Sequence, residues 1–228
     1  AVDSTDTVDG SNPVEVAAPT LQGGVLFNFW ILGFLNSLQS NLPFYFLPFF
    51  ATTFEIGQFG VVYKVLGLAS TILLALQGYY APRFSSYYNK SQVTLLRKSL
   101  LESQVVSLLA FSPVLFLLLV FPDQILSIFG DDFQVSRSLI WAMAIGEFVN
   151  SASGLVGTFL NMVDSERAGL LITLASLALV VVLMLVLGQR MGVLGVAIGY
   201  ASGQAVTNFA KFVLCYVTLD RMKRGQHV

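Results

Sequence analysis

Six long apolar segments constrain the fold of this chain more than any other feature of its sequence. They cover residues 25–46, 57–80, 103–120, 138–160, 169–187 and 194–219. Crossing about 30 Å of hydrocarbon takes roughly 20 mainly apolar helical residues, which is close to the length of each segment. Only 11% of the 228 residues are charged, against about 25% in soluble domains. The sequence therefore predicts an all-α, polytopic membrane protein, a bundle of six transmembrane helices.

The regions that flank these segments differ in charge. Residues 1–23 carry Asp and Glu but no Lys or Arg, and they are rich in Ser, Thr, Gly and Pro. This composition predicts an acidic, disordered linker on the cytoplasmic side. Residues 24–220 are predicted to form the transmembrane lobe, and 221–228 a basic cytoplasmic tail. Because the chain does not begin with Met, we expect it to be the C-terminal part of a longer protein.

Positive charge alternates between the connections. The connections after the second and fourth segments and the tail contain most of it, as Arg83, Lys90, Arg97, Lys98, Arg167, Arg221, Lys223 and Arg224. Cytoplasmic loops carry such an excess, so both termini are predicted to be cytoplasmic, in the plasma or inner membrane. Pro82 is predicted to end the second helix. The basic and aromatic segment 83–99 suits either a lipid headgroup layer or an ordinary cytoplasmic loop.

Polar residues recur every three or four positions in four of the six segments. They are Asn36, Gln39 and Ser40 in the first, Lys64, Gly67 and Thr71 in the second, Glu147, Asn150, Ser151, Gly154, Thr158 and Asn161 in the fourth, and Gln204, Asn208 and Lys211 in the sixth. This spacing places each set on one helix face and predicts a bundle around a wet cavity, with the apolar fifth helix facing lipid. The alternative is that these side chains only hydrogen-bond neighbouring helices, at about 0.6 kcal/mol each.

The ionisable residues of the segments carry more information, because burying a charge costs more than packing explains. Counted at 1.5 Å per residue, Lys64 lies roughly 10 Å and Glu147 roughly 15 Å below the outer end of their helices. The two are predicted to lie close enough to pair, either as a structural tie or as part of a gate. Lys211 is expected either to extend toward the cytoplasmic face or to face the cavity.

Other residue types limit the chemistry. Cys215 is the single cysteine and His227 the single histidine, so the sequence indicates no catalytic cluster, metal site or disulfide. We expect no enzyme activity, no cofactor and no nucleic-acid partner. In the sixth segment Gly195, Gly199 and Gly203 form a ridge of small residues, which predicts close approach of a neighbouring helix.

Five stretches, taken in order, resemble one family. They are "EIGQFGVVYKV", "APRFSSYYNK", "ILSIFGDDF", "GEFVNSASGLVGTFLNM" and "MGVLGVAIGYASGQA". Together they are similar to the second half of a polysaccharide-exporter flippase, a branch of the multidrug/oligosaccharidyl-lipid/polysaccharide (MOP) exporter superfamily. The resemblance covers about residues 25–219 and implies one lobe of a MATE-like transporter, whose two lobes surround a cavity that opens alternately to either side.

The resemblance also implies a substrate, a polyprenyl-pyrophosphate-linked oligosaccharide carried from the cytoplasmic to the outer leaflet. It implies membrane lipids and an N-terminal lobe as partners, and polysaccharide polymerase and glycosyltransferases as possible ones. On this interpretation Lys64 is the first candidate for a phosphate contact and Lys211 the second. The basic composition of segment 83–99, rather than a matching motif, makes Arg83 and Arg97 candidates for recruiting the pyrophosphate at the cytoplasmic mouth. Glu147 either neutralises Lys64 or binds a coupling ion.

Two other functions stay open from the sequence. A multidrug or cation antiporter of the same superfamily is one, and it predicts that carboxylates dominate the charge of the cavity. A membrane scaffold that transports nothing is the other.

Overall fold

Helices account for nearly all of the described chain. The computed structural model describes residues 23–130 and 135–225, apart from the side chains of residues 23–29 and 69. The helices are α1 (Gly23–Phe46), α2 (Thr53–Asn89), α3 (Val93–Val120), α4 (Pro122–Leu126), α5 (Arg137–Ser153), α6 (Val156–Met162) and α7 (Glu166–Lys223), with 3-10 turns at Leu47–Phe49 and Ser127–Phe129. No strand occurs within the described ranges, so the all-α prediction is confirmed. Nearly all of the predicted linker and the last three residues of the tail lie outside them.

Four helical stretches in the described part of the chain are long and apolar enough to cross a membrane. They are α2, α3, the α5–α6 pair (Arg137–Met162) and α7. The predicted count of six is therefore not confirmed. The first predicted segment does form a helix, α1, but polar residues such as Asn36, Gln39 and Asn41 lower its hydropathy. The fifth and sixth predicted segments both lie within α7.

A reversal at Gly192 divides α7 into two arms. Its φ of 59° and ψ of −135° are not helical, and glycine adopts such values without the steric cost of a Cβ. The arms, residues 166–191 and 193–223, then pack against each other. The structure places the three glycines of the predicted ridge against Leu187, Met184 and Val180 of the first arm. Residue numbers rise along one arm as they fall along the other, so the arms are antiparallel.

Helix α2 is longer than predicted. It begins at a capping box, in which the Thr52 backbone N donates to Glu55 Oε2 at 2.8 Å and the Glu55 N donates to Thr52 Oγ1 at 3.4 Å. The prediction that it ends near Pro82 is wrong, because Pro82 lies inside the helix, which continues to Asn89. Packing explains the extension: Phe84 is fully buried and its ring lies 5.4 Å from that of Phe159 in α6. The segment 83–99 is thus mostly helix rather than loop.

The fourth predicted segment is interrupted. Helix α5 ends at Ser153, Gly154 has φ 64° and ψ −134°, and α6 begins at Val156. A Cβ on Gly154 would lie 2.8 Å from the Gln104 Cα of α3. The break therefore lies at a close contact with α3.

The connections collect at two ends of the bundle. The Tyr88 hydroxyl at the end of α2 donates to Asp164 Oδ2, just before α7, at 3.1 Å. Leu219, near the end of α7, packs in the same apolar cluster as Phe84 and Val163. At the other end, the turn after α1 meets the Gly192 reversal, since the Phe50 carbonyl oxygen lies 3.3 Å from the position of a Gly192 Cβ.

Candidate functional site

The described helices line an open cavity of about 630 Å³. Four parts of the chain line it, namely α1, α2, the α5–α6 pair and α7. No residue of α3 is among the described residues that line the cavity. The polar lining residues are Asn36, Gln39, Ser40, Ser70, Gln77, Glu147, Asn150, Thr158, Asn161, Gln204, Thr207, Asn208 and Lys211. Carboxamides dominate this set, and each can both donate and accept hydrogen bonds.

The structure places all of the residues of the predicted polar sets in this lining except Lys64, Thr71 and Ser151. Asn36, Glu147, Asn150, Asn161, Gln204, Asn208 and Lys211 line the cavity. Lys64 does not, and its side chain is exposed. On α2 the lining face is formed by Tyr63, Gly67 and Ser70. Lys64 follows Tyr63 by one residue, which turns it about 100° around the helix axis and away from the cavity.

The predicted pairing of Lys64 with Glu147 is not formed. Within the described ranges the ion pairs are Lys98 with Glu102, Arg137 with Asp123, and Arg224 with Asp220, all between exposed side chains. Glu147 lies on the cavity wall and is half-buried. The two residues face different surroundings, so neither a tie nor a gate between them exists in this structure.

A short row of hydrogen bonds runs across the cavity wall. Asn208 Nδ2 of α7 donates to Asn150 Oδ1 of α5 at 3.0 Å. Asn150 Nδ2 in turn donates to Glu147 Oε1 at 3.0 Å. The row joins the second arm of α7 to α5 and fixes the orientation of the Asn150 carboxamide, because its oxygen and its nitrogen have different partners.

Lys211 lies farther along the same arm. It is 9% exposed and lines the cavity, with Asn208 one turn before it and Cys215 one turn after. At 1.5 Å per residue it is roughly 28 Å from Gly192 and roughly 18 Å from Lys223. Its ammonium group makes no hydrogen bond or ion pair with any residue in the described ranges. The side chain therefore faces the cavity, and the structure does not show it extending to the end of the bundle.

The MatE family model matches residues 50–187, more than half of the chain. This chain belongs to the MatE family. The resemblance to the MOP superfamily is thereby confirmed. The match covers α2, α3, the α5–α6 pair and the first arm of α7 up to residue 187, so the helices that form most of the cavity wall lie in the MatE region or directly after it.

One relative of this MatE chain is described as "Probable low-salt glycan biosynthesis flippase Agl15" of Haloferax volcanii. The two are 23% identical over 158 residues, which are 69% of this chain and 34% of the relative. The chain thus spans about a third of the length of the relative that it matches. No solved structure matches the chain.

Two tyrosines of the MatE cavity were not predicted as site residues. The Tyr63 hydroxyl donates to the Ser40 carbonyl oxygen at 2.7 Å, and the rings of Tyr63 and Tyr200 lie 6.4 Å apart. Both line the cavity near Glu147. A signal for Tyr200 exists in the sequence, since it precedes Gln204 by four residues and so shares the face of Gln204 and Asn208.

The two arginines predicted at the cytoplasmic mouth lie outside the cavity lining. The Arg83 guanidinium carbon lies 3.9 Å from the Tyr79 ring centroid, and that of Arg97 lies 6.0 Å from the Tyr216 ring centroid. Both arginines are at the end of the bundle where α2, α3 and α7 meet. A guanidinium within about 6 Å of a ring centroid is attracted to the face of the ring, more strongly at the shorter distance of Arg83.

Proposed function

We propose that this chain is the C-terminal lobe of a flippase that moves a polyprenyl-pyrophosphate-linked oligosaccharide across the cytoplasmic membrane by alternating access, for polysaccharide biosynthesis or export. Membership of the MatE family supports a multi-pass membrane transporter. The name of the Haloferax relative, a glycan biosynthesis flippase, supports the substrate class. In this proposal an N-terminal lobe of the same protein closes the other side of the cavity.

The unpaired ammonium of Lys211 in a cavity of carboxamides is the observation that carries the proposal. A pyrophosphate that passes through a region of low dielectric constant needs a cation. Sugar hydroxyls need both donors and acceptors, which Asn and Gln side chains provide. Because Lys64 lies outside the lining, Lys211 is the stronger candidate for the phosphate contact.

We further propose that both termini are cytoplasmic, in the cytoplasmic membrane. The basic connections after α2 and α6 and the end of α7 lie at one end of the bundle, and positive charge favours the cytoplasmic side. Arg83 and Arg97 lie at that end, where they are placed to attract a pyrophosphate before it enters. Glycosyltransferases and a polysaccharide polymerase are the proposed functional partners of this activity.

A cation antiporter is the second candidate, because Glu147 lines the cavity. Its carboxylate is the only one among the described lining residues, and Lys211 the only cation there. Carboxylates therefore do not dominate the charge of this wall, and the flippase remains the function that the site supports best.

Substitution of Lys211 tests the proposal. The complete protein is expressed in a strain that lacks its own flippase, as wild type, Lys211→Ala and Lys211→Arg. The readout is the lipid-linked oligosaccharide accessible at the outer face. Loss of a charge-assisted contact costs about 1.5–3 kcal/mol, so we expect Lys211→Ala to reduce export at least about tenfold. Lys211→Arg should retain part of it.

Two further lysines serve as comparisons. Lys98→Ala removes a charge from an exposed surface pair and should export normally. Lys64→Ala tests the sequence-based prediction in the same assay, and its exposed position outside the cavity leads us to expect near-normal export. Normal export by Lys211→Ala at normal expression would refute the proposed phosphate contact.

A further inference from the structure

Glu147 lines the cavity without a cationic partner. One carboxylate oxygen accepts a hydrogen bond from Asn150, and no Lys or Arg in the described ranges forms an ion pair with it. A carboxylate in a region of low dielectric constant needs hydrogen-bond donors or a cation to offset the loss of water. An occupant of the cavity that carries hydroxyl groups or a positive charge would supply such a partner.

Glu147 and Lys211 lie at different levels of the cavity. Helix α5 and the second arm of α7 run in the same direction, since Gly146 packs against Ala201 and Asn150 bonds to Asn208. Lys211 is ten residues beyond Ala201, whereas Glu147 directly follows Gly146. At 1.5 Å per residue the two charged residues are about 13 Å apart along the bundle when counted from the first contact and about 9 Å apart when counted from the second. The cavity is therefore cationic at one level and anionic at the other.

The surroundings of Glu147 suit a sugar. Tyr63 and Tyr200 present aromatic rings and hydroxyl groups beside it, and the carboxamide of Asn150 is adjacent. No cation in the described lining is available there to bind an acidic sugar. A carboxylate on a sugar at this level would face the carboxylate of Glu147, and like charges at short range disfavour binding.

We propose that Glu147 determines specificity for the glycan, selecting a sugar that is neutral or carries an amine and excluding one that carries a carboxylate. This inference rests on the proposed flippase function, in which the pyrophosphate lies at the level of Lys211. An ammonium group on the sugar supplies the counter-charge that Glu147 lacks, and a neutral sugar supplies hydroxyl donors. Discrimination against the acidic sugar comes from an unfavourable contact rather than from a better contact with the favoured one.

The test measures a ratio of two transport rates. The complete protein is reconstituted in vesicles of phosphatidylethanolamine and phosphatidylglycerol. Two synthetic polyprenyl-pyrophosphate disaccharides of equal length are compared, one of neutral hexoses and one with a uronic acid as its terminal sugar. We expect the wild type to favour the neutral glycan by about tenfold. Glu147→Gln should bring the ratio close to one by speeding the acidic glycan, and Glu147→Asp should keep the preference.

Glu102→Gln is the matched control, because Glu102 is exposed on α3 and pairs with Lys98. It should leave the ratio as in the wild type. The ratio does not depend on the amount of folded protein, so a lower yield of folded Glu147→Gln would not change it. Equal transport of both glycans by the wild type, or an unchanged ratio in Glu147→Gln, overturns the inference and leaves the flippase function standing. Transport of neither glycan by the wild type overturns the flippase function and the inference with it.

Discussion

Asn150 joins two helices through one carboxamide. Its nitrogen donates to Glu147 on the same helix and its oxygen accepts from Asn208 on α7. Side-chain hydrogen bonds between membrane helices contribute about 0.6 kcal/mol on average and up to about 1.7 kcal/mol. The bond from Asn208 therefore stabilises the contact of α5 with α7 modestly, and it holds the cavity wall at the level of Glu147.

A double-mutant cycle measures this contact. We expect Asn150→Ala and Asn208→Ala to show a coupling of about 0.6 kcal/mol in the free energy of unfolding, and at most about 1.7 kcal/mol. Unfolding of the protein purified in detergent provides the measurement. Asn150→Ala combined with Asn161→Ala is the control, because no hydrogen bond joins these two residues, and their effects should add within about 0.5 kcal/mol. A cycle for Asn150 and Asn208 that is equally additive would show that the bond contributes nothing.

Helices α5 and α6 both contribute to the cavity wall, and a break at Gly154 separates them. The sequence predicts one helix through this region, because polar residues continue at helical spacing from Glu147 to Asn161. The structure keeps both residues on the cavity wall but separates their helices at Gly154. The cause is a tertiary contact, since Gln104 of α3 occupies the space beside Gly154.

Gly154→Ala should therefore destabilise the protein. The backbone conformation of Gly154 costs a residue with a Cβ about 1–3 kcal/mol, and the contact with Gln104 adds to this. Gly157→Ala is the matched control, because Gly157 lies in α6 and no atom is within 4 Å of the position of its Cβ. The free energy of unfolding in detergent should fall for Gly154→Ala and stay nearly unchanged for Gly157→Ala. If Gly154→Ala and Gly157→Ala had the same free energy of unfolding, the break would not require glycine.

The whole molecule has two chemically different ends. One end contains the basic connection between α2 and α3, the approach to α7 and the end of α7, joined by the bond from Tyr88 to Asp164. The opposite end contains the turn after α1, helix α4 and the reversal at Gly192. This separation agrees with the alternation of charge along the sequence, and it makes the orientation in the membrane testable.

Labelling of introduced cysteines tests the orientation. Asn89 and Gln124 are exposed and lie at the basic and the opposite end, respectively. In intact cells, a membrane-impermeant maleimide should label Gln124→Cys, and it should label Asn89→Cys only after the membrane is opened. The unsubstituted chain is the control, since Cys215 is its single cysteine and is fully buried. Labelling of Asn89→Cys in intact cells would reverse the proposed orientation.

The sequence by itself determined the class of protein and which residues share the polar face of each helix. Segment length, low charge and polar residues at intervals of three or four are local properties, because rise per residue and residues per turn are the same in every helix. They predicted an all-helical membrane protein, and they singled out Glu147, Asn150 and Asn208 as one polar set. The structure places these residues together on the cavity wall.

Only the tertiary structure decided which charge faces the cavity. Lys64 and Glu147 are at similar distances from the outer ends of their helices, which made them a plausible pair. The rotation of α2 about its axis instead turns Tyr63 toward the cavity and Lys64 away from it. The same holds for the extension of α2 past Pro82 and for the break at Gly154. Each depends on contacts between residues far apart in the chain, and the strength of such contacts is not set by local spacing or composition.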